Sequence, residues 1–172
     1  MIELMNYEPK KLRNSYRNWI ISRLDRQKTY AFVTLSLKKG IERDDGTWES
    51  LTEESATNNV AWFLKHLDRA VLGKAARKYG KYLQNIDVAE GDGVNKRRHR
   101  HLIIEVPTSH ITEDKFRLRV SEIWKKSRWG SRNRVTKYER EVDVQIASDL
   151  DAVVRYLTKT GSDALSLSTT RL

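Results

Sequence analysis

Two histidines, His99 and His101, lie two residues apart in a segment whose pattern predicts a β-strand. Side chains at positions i and i+2 of a strand point to the same face, so both imidazoles can bind one metal ion. A hairpin should place carboxylates close to them, and we favour Glu90 as the third ligand. The other nearby carboxylates are Asp87, Asp92 and Glu105. Alternatively, both histidines simply belong to the basic run 96–101 and contact phosphate or solvent.

A tyrosine and a lysine, Tyr156 and Lys159, lie three residues apart in the segment that predicts the last helix. They share a helix face beside the apolar stripe, so the tyrosine is not predicted to be a core residue. The unperturbed pKa of tyrosine is about 10, and a cation one turn away helps the phenol to act as a nucleophile. The same spacing recurs at Tyr7 and Lys10, where Pro9 and the terminal position disfavour a rigid catalytic site.

The composition of the chain favours a polyanionic partner. Its 172 residues include 33 Lys and Arg against 23 Asp and Glu, a formal net charge of +10, which is typical of nucleic-acid binding. Cysteine is absent, which excludes disulfides, thiolate nucleophiles and cysteine metal sites. No segment approaches the roughly 20 apolar residues that span a bilayer. We expect no membrane association and no secretion, and a location in the cytoplasm of a prokaryotic host or wherever the DNA resides.

The segment 125–140 combines cations that bind phosphates with aromatic side chains that stack on bases. Its residues assigned to nucleic acid are Lys125, Lys126, Arg128, Trp129, Arg132 and Arg134. Trp129 is the preferred stacking residue, whereas helical spacing favours a core position for Trp124. Trp48 follows a turn predicted at 45–46 and is either a packing residue of a hairpin or a DNA contact.

The elements that must position these residues alternate between helical and strand periodicity. The predicted order is helix 12–24, strand 29–38, a helix from a capping box at 50–53 to about 80, strands 82–89 and 99–106, a helix from Thr112 to 129–130, strand 142–146, and a last helix capped by Ser148 and Asp151. Strands joined by a short glycine-rich turn should pair antiparallel.

We therefore predict an α+β fold, an antiparallel sheet of four to five strands flanked by helices, in an RRM-like or ferredoxin-like order. The chain is predicted to be one domain, residues 1–172. Residues 1–28 form an N-terminal helical extension, and 161–172 form a polar tail that can fray.

Three segments resemble, in order and spacing, the motifs of the HUH endonuclease superfamily. They are Phe32-Val33-Thr34-Leu35-Ser36 within 29–38, His99-Arg100-His101 within 99–104, and Tyr156-Leu157-Thr158-Lys159. The resemblance covers about residues 29–160 and implies the HUH endonuclease fold. Because the tyrosine follows the histidines, the order resembles single-tyrosine replication initiators rather than conjugative relaxases.

The sequence departs from the family pattern between the two histidines, where the family has a bulky hydrophobic residue and this chain has Arg100. Its charge falls on the face opposite the metal and is costly in a packed core unless it is paired. Either the arginine extends to the edge of the sheet, or the strand is less buried than in relatives.

The resemblance implies metal-dependent nicking and joining of single-stranded DNA through a 5′-phosphotyrosine link. The implied catalytic residues are Tyr156 and Lys159, and the implied ligands of one Mn²⁺ or Mg²⁺ ion are His99, His101 and Glu90. Residues of the first two motifs assigned to DNA contact are Thr34, Ser36 and Arg100. Relatives also draw a ligand from the tyrosine helix, so Asp149, about two turns before Tyr156, is an alternative.

An initiator of rolling-circle replication of a virus, phage or plasmid would act on single-stranded or hairpin DNA at an origin. It would use a host polymerase, and because the sequence lacks a Gly-x-x-x-x-Gly-Lys phosphate-binding loop, unwinding would come from a host helicase or from a region outside this sequence. Two alternatives stay open: a single-tyrosine transposase with the same chemistry, and a non-catalytic RRM-like module that binds single-stranded nucleic acid. The oligomeric state is left open.

Overall fold

A computed structural model describes residues 9–91, 96–130, 142–160 and 164–172. Its elements in chain order are α1 (Pro9–Arg23), β1 (Thr29–Ser36), β2 (Gly40–Glu42), β3 (Trp48–Ser50), α2 (Glu53–Leu72), α3 (Lys74–Tyr79), β4 (Asn85–Glu90), β5 (His99–Val106), α4 (Glu113–Lys126), β6 (Val142–Ile146), α5 (Leu150–Leu157) and a 3₁₀ turn (Thr158–Thr160). Strands β5 and β6 have the predicted bounds.

Four strands form one antiparallel sheet in the order β4-β5-β1-β6, which confirms the predicted α+β fold with helices flanking a sheet. The arrangement is compatible with an RRM-like or ferredoxin-like order. On one face, Val33 of β1 packs in a core with Phe63 of α2 and Trp124 of α4. On the other face, Tyr30 packs in a second core with residues of α1 and with Val154 of α5. Alternate side chains of β1 therefore pack into an apolar core on each face of the sheet.

The register of β5 determines which side chains share a face. Glu90 of β4 pairs with His99, and Thr34 of β1 pairs with His101. Because side chains alternate along a strand, these four residues lie on the face that α1 and α5 cover. Arg100 lies on the opposite face, toward α2 and α4.

Helix α2 begins and ends at residues other than those predicted. Its capping box consists of Thr52 and Ser55, each of which accepts the other's backbone N–H, and not of a box that starts at Ser50. The helix ends before Gly73, whose φ of 56° lies in the left-handed region, and only the short α3 continues toward Gly80.

Helix α5 is capped by Asp149. Its carboxylate accepts the backbone N–H of Ala152 at 2.9 Å, so the prediction that Ser148 begins the cap is wrong. Asp151, the predicted second member of that cap, instead forms an ion pair with Arg26 at 3.0 Å.

Two features of the fold are absent from the sequence prediction. Strands β2 and β3 pair as a separate two-stranded hairpin, and each has only three residues, too few for a periodic signal. The described part of the polar tail pairs with the outer edge of β4, where Asn85 and Arg171 exchange backbone hydrogen bonds of 2.8 Å. This part of the tail covers an edge strand and is not frayed.

Arg100 is buried and paired. Its side chain is 1% exposed, and it donates to Asp87 at 3.0 Å, to Glu53 at 2.7 Å and to Thr57 at 3.2 Å. The guanidinium does not extend to the edge of the sheet, so that explanation is wrong, and its pairing meets the condition under which a charge in a packed core is tolerated. Its assignment to DNA contact is also wrong, because the guanidinium is enclosed by protein groups.

We expect Arg100→Ala to reduce the free energy of unfolding by about 3–5 kcal/mol, because it leaves the fully buried Asp87 without its cation. Urea unfolding measures the change. Arg119→Ala is the control, since Arg119 pairs with Glu122 on the exposed surface and its loss should cost less than about 1 kcal/mol. A loss at Arg100 as small as that of the control would contradict the buried pair.

Candidate metal and tyrosine site

Glu90, His99 and His101 bring three ligand atoms together. The Nε2 atoms of the two histidines are 3.1 Å apart. Oε2 of Glu90 lies 3.0 Å from Nε2 of His101 and 3.6 Å from Nε2 of His99. Within the described part of the chain, this is the one group of three or more His, Asp or Glu residues whose ligand atoms all lie within 4.8 Å of one another. A Glu-His-His group at metal-binding distance is therefore present, with the favoured carboxylate in it.

The second nitrogen of each imidazole has its own partner. Nδ1 of His99 lies 2.9 Å from the carbonyl oxygen of Arg97, which can only accept, so we assign the proton to Nδ1. Nδ1 of His101 lies 3.1 Å from the hydroxyl of Thr34, which can accept in the same way. With both rings protonated at Nδ1, two Nε2 lone pairs and a carboxylate oxygen face one another. Such a set of acceptors fits a divalent cation, and the outer partners hold both rings in place for it.

Two of these acceptors, Glu90 and His101, have pKa values below their usual range. Burial raises the pKa of Glu90, but hydrogen bonds from Lys96 and Lys159 and the nearby His101 bring it down to about 2. Burial, followed by the neighbouring His99, lowers the pKa of His101 to about 4. At neutral pH the carboxylate is ionised and the His101 ring is neutral, which are the states that bind a metal.

Tyr156 lies beside this group. Its ring meets His101 edge-on with centroids 5.6 Å apart, and it meets Phe32 edge-on at 5.7 Å. Phe32 in turn stacks on His101 at 5.2 Å. The tyrosine is nevertheless 46% exposed, in agreement with the prediction that it lies outside the core. Two aromatic contacts orient the ring, while its exposure leaves it accessible to a substrate.

Lys159 connects the tyrosine with the carboxylate. Its Nζ lies 3.3 Å from Oε2 of Glu90 and 3.8 Å from the ring centroid of Tyr156. Burial lowers the pKa of Lys159, but hydrogen bonding to Tyr156 and to Glu90 raises it above its usual value. The lysine lies in the 3₁₀ turn that follows α5 rather than in the helix itself. A charged ammonium is thus held next to the phenol.

The other candidate carboxylates do not join this group. Asp87 is fully buried on the opposite face of the sheet, and Asp149 caps α5. Glu105 shares the histidine face but pairs with Lys28 at 3.1 Å, six residues along β5 from His99. Asp92 lies outside the described residues.

Sequence reasoning did not assign Phe32 and Lys96 to the site, and it gave Thr34 a different role. Thr34, assigned to DNA, orients His101, whereas Ser36 lies on the same face two residues further along β1. Phe32 contacts the rings of both His101 and Tyr156, and Lys96 pairs with Glu90. Alternation in β1 places Phe32 and Thr34 on one face, but the register against β5 that brings them to His101 cannot be read from the sequence.

The described part of the basic segment lies at the end of α4, a helix that packs on the opposite face of the sheet. Its exposed cations are Lys125, Lys126 and Arg128. Trp129 is only 3% exposed, so the prediction that it stacks on a base is wrong, whereas Trp124 is fully buried as predicted. Arg132 and Arg134 lie outside the described residues.

Comparison of the chain with models of known families, with curated proteins and with solved structures finds no match. No helix in the described ranges is long and apolar enough to cross a membrane. The geometry of the metal and tyrosine site is therefore the basis of the functional proposal.

We expect Glu90→Ala to weaken Mn²⁺ binding more than about tenfold, because it removes the only charged ligand of the group. Isothermal titration of metal-free protein with MnCl₂ measures the affinity. Glu105→Ala is the matched control, since it removes a carboxylate from the same sheet face without touching the group. Equal affinities for Glu90→Ala and Glu105→Ala would contradict this metal site.

Proposed function

We propose that this protein nicks and rejoins single-stranded DNA, with Tyr156 as the nucleophile and one divalent ion bound by Glu90, His99 and His101. The observation that carries the proposal is the position of an accessible tyrosine 5.6 Å from the ring of a histidine whose Nε2 belongs to a group of converging acceptors. A nucleophile and a cation site on one sheet face form the minimal apparatus for attack on a phosphodiester.

The ligand set suits a hard to borderline divalent ion. Two imidazoles and one carboxylate favour Mn²⁺ over Mg²⁺, which prefers oxygen ligands, although cellular abundance favours Mg²⁺. When bound, such an ion supplies Lewis acidity to the oxygens of the scissile phosphate.

The reaction exchanges one phosphodiester for another. The Oη atom of Tyr156 attacks phosphorus, the bond from phosphorus to the 3′-oxygen breaks, and the phenol proton passes through solvent to that 3′-oxygen. The products are a 5′-phosphotyrosine link and a free 3′-hydroxyl. Attack by a 3′-hydroxyl on the link reverses the step and rejoins the strand, so no nucleotide cofactor is consumed.

Lys159 contributes to this step through charge. Its ammonium lies 3.8 Å from the tyrosine ring and can stabilise the phenolate that forms as the proton leaves. Its contact with Glu90 ties the position of the ammonium to the metal group. These two contacts support a role for Lys159 in stabilising the nucleophile.

The resemblance of the three motifs to the HUH superfamily supports a biological setting for this chemistry. We propose a replication initiator that acts on single-stranded or hairpin DNA at the origin of a virus, phage or plasmid. The free 3′-hydroxyl would serve a host polymerase, and a host helicase would supply the single strand. The chain net charge of +10 agrees with such a partner.

We expect Tyr156→Phe to abolish covalent capture of DNA while binding stays nearly unchanged, because only the nucleophilic oxygen is removed. The substrate is a pool of single-stranded oligonucleotides with a hairpin and a randomised loop, with Mn²⁺, and the adduct is detected on a denaturing gel. Tyr79→Phe is the matched control, because Tyr79 is a 65% exposed tyrosine on α3 and is not among the ligand atoms or ring contacts of the metal group.

Two outcomes would overturn the proposal in different ways. An adduct that persists in Tyr156→Phe would assign the nucleophile to another residue. A wild-type protein that binds the pool but forms no adduct would favour the non-catalytic binding module.

A further inference from the structure

A concentration of positive charge that the sequence analysis did not assign lies on the second half of α2, on α3 and just after it. Residues 65–82 contain one acidic residue, Asp68, which is buried and pairs with Arg171 of the tail. Because its charge is already matched by Arg171, the rest of this stretch is cationic and attracts polyanions. The stretch contains six Lys or Arg residues: Lys65, Arg69, Lys74, Arg77, Lys78 and Lys81.

A cavity of about 270 Å³ between α2, the end of α3 and the tail brings several charges together. Lys65 and Arg69 line it from one face of α2, since they are four residues apart. Lys81, Tyr82 and Arg171 line it as well. These five residues define the α2–tail cavity. Its volume is close to the lower end of small-ligand sites, so it suits one small anionic group with an adjoining ring.

Three of the four cations in the α2–tail cavity are available to a ligand. Within the residues that the structure describes, the exposed side chains of Lys65, Arg69 and Lys81 form no hydrogen bond and no ion pair. Arg171, in contrast, is held by Asp68 and donates to Oδ1 of Asn85 at 2.7 Å. The cavity thus combines one fixed guanidinium with three cations that can turn toward phosphate oxygens.

Tyr82 supplies an aromatic surface in the same cavity. The guanidinium of Arg171 lies 5.1 Å from the centre of its ring, and the tyrosine is 49% exposed. The backbone N–H of the next residue, Leu83, donates to Asp68 at 2.9 Å, so the carboxylate that holds Arg171 also fixes the chain beside the tyrosine. An exposed ring among cations is typical of sites that bind single strands, where bases stack on aromatic side chains and cations follow the backbone.

We propose that the α2–tail cavity binds one nucleotide of a single strand of nucleic acid. The base stacks on Tyr82, and the phosphate is held by the cations of α2 and by Lys81. A single strand fits this site better than a duplex, because an unpaired strand can turn the face of a base toward the ring.

The cavity lies at the opposite end of β4 from the metal group. Arg171 exchanges backbone hydrogen bonds with Asn85 at the start of β4, and Glu90 lies five residues further along the strand, a distance of roughly 17 Å. One DNA strand can therefore reach both sites around this edge of the sheet. In assigning the bound nucleotide to the strand that is cut, the inference rests on the proposed function.

The test measures binding without cleavage. All variants carry Tyr156→Phe, the buffer contains EDTA, and the probe is a fluorescein-labelled ten-nucleotide oligothymidylate followed by fluorescence anisotropy. Tyr82→Ala is expected to weaken binding roughly 5- to 100-fold, and Tyr82→Phe to keep most of the affinity, because the ring remains. Tyr79→Ala is the matched control, since Tyr79 is a 65% exposed tyrosine three residues away that does not line the cavity.

A salt titration tests the cations separately. Each phosphate contact contributes about −0.7 to the slope of log affinity against log salt for a single strand. The double variant Lys65→Ala, Arg69→Ala should therefore make the slope less steep by at least about this amount, and it removes no internal contact of the protein. Lys115→Ala with Arg119→Ala is the control, because these two cations have the same spacing on α4 and lie outside the cavity. An equal change of slope in both double variants would contradict a phosphate site in the cavity.

The outcomes separate this inference from the proposed function. If the parent binds the probe and Tyr82→Ala binds it equally well, the cavity is overturned as a nucleotide site while the nicking chemistry is unaffected. If Tyr82→Ala weakens binding but the wild type forms no covalent adduct, the cavity stands and the proposed function fails. A parent that does not bind the probe at low salt overturns the cavity as well.

Discussion

The register of β5 between β4 and β1 is the constraint on which the candidate site depends. In the observed register, His99 and His101 lie on the face of Glu90, and Arg100 lies on the other. A shift of one residue would turn both histidines into the apolar core and the arginine out of it. Asp87 opposes such a shift, because it offers Arg100 a buried carboxylate on one face only. The stability of the sheet and the geometry of the site are therefore coupled through one strand.

The electrostatics of the site follow from the same placement. Three acceptors that face one another repel, and the cations of Lys96 and Lys159 around Glu90 offset part of this repulsion. Lys159 also lies against Tyr156, so the group that balances the carboxylate is the group that would stabilise a phenolate. In the proposed reaction, the metal group and the nucleophile share this one lysine.

The sequence was sufficient to predict those features of the fold and site that depend on residues close together along the chain. Alternation placed both histidines on one face, the bounds of β5 were predicted correctly, and a hairpin argument favoured Glu90. The sequence was insufficient to predict contacts between residues that are far apart along the chain. The partners of Arg100 come from β4 and from the start of α2, and the burial of Trp129 depends on how its loop packs against α2. Strands of three residues are too short to show a periodic pattern, so the sequence analysis predicted only a turn where the β2–β3 hairpin lies.

A crystal structure grown with MnCl₂, with anomalous diffraction recorded at the manganese edge, tests the central claim most directly. We expect one strong anomalous peak bonded to Nε2 of His99, Nε2 of His101 and the carboxylate of Glu90, on the same sheet face as Tyr156. A peak at Asp149 or another carboxylate instead, or no peak at this group in protein saturated with manganese, would contradict the account.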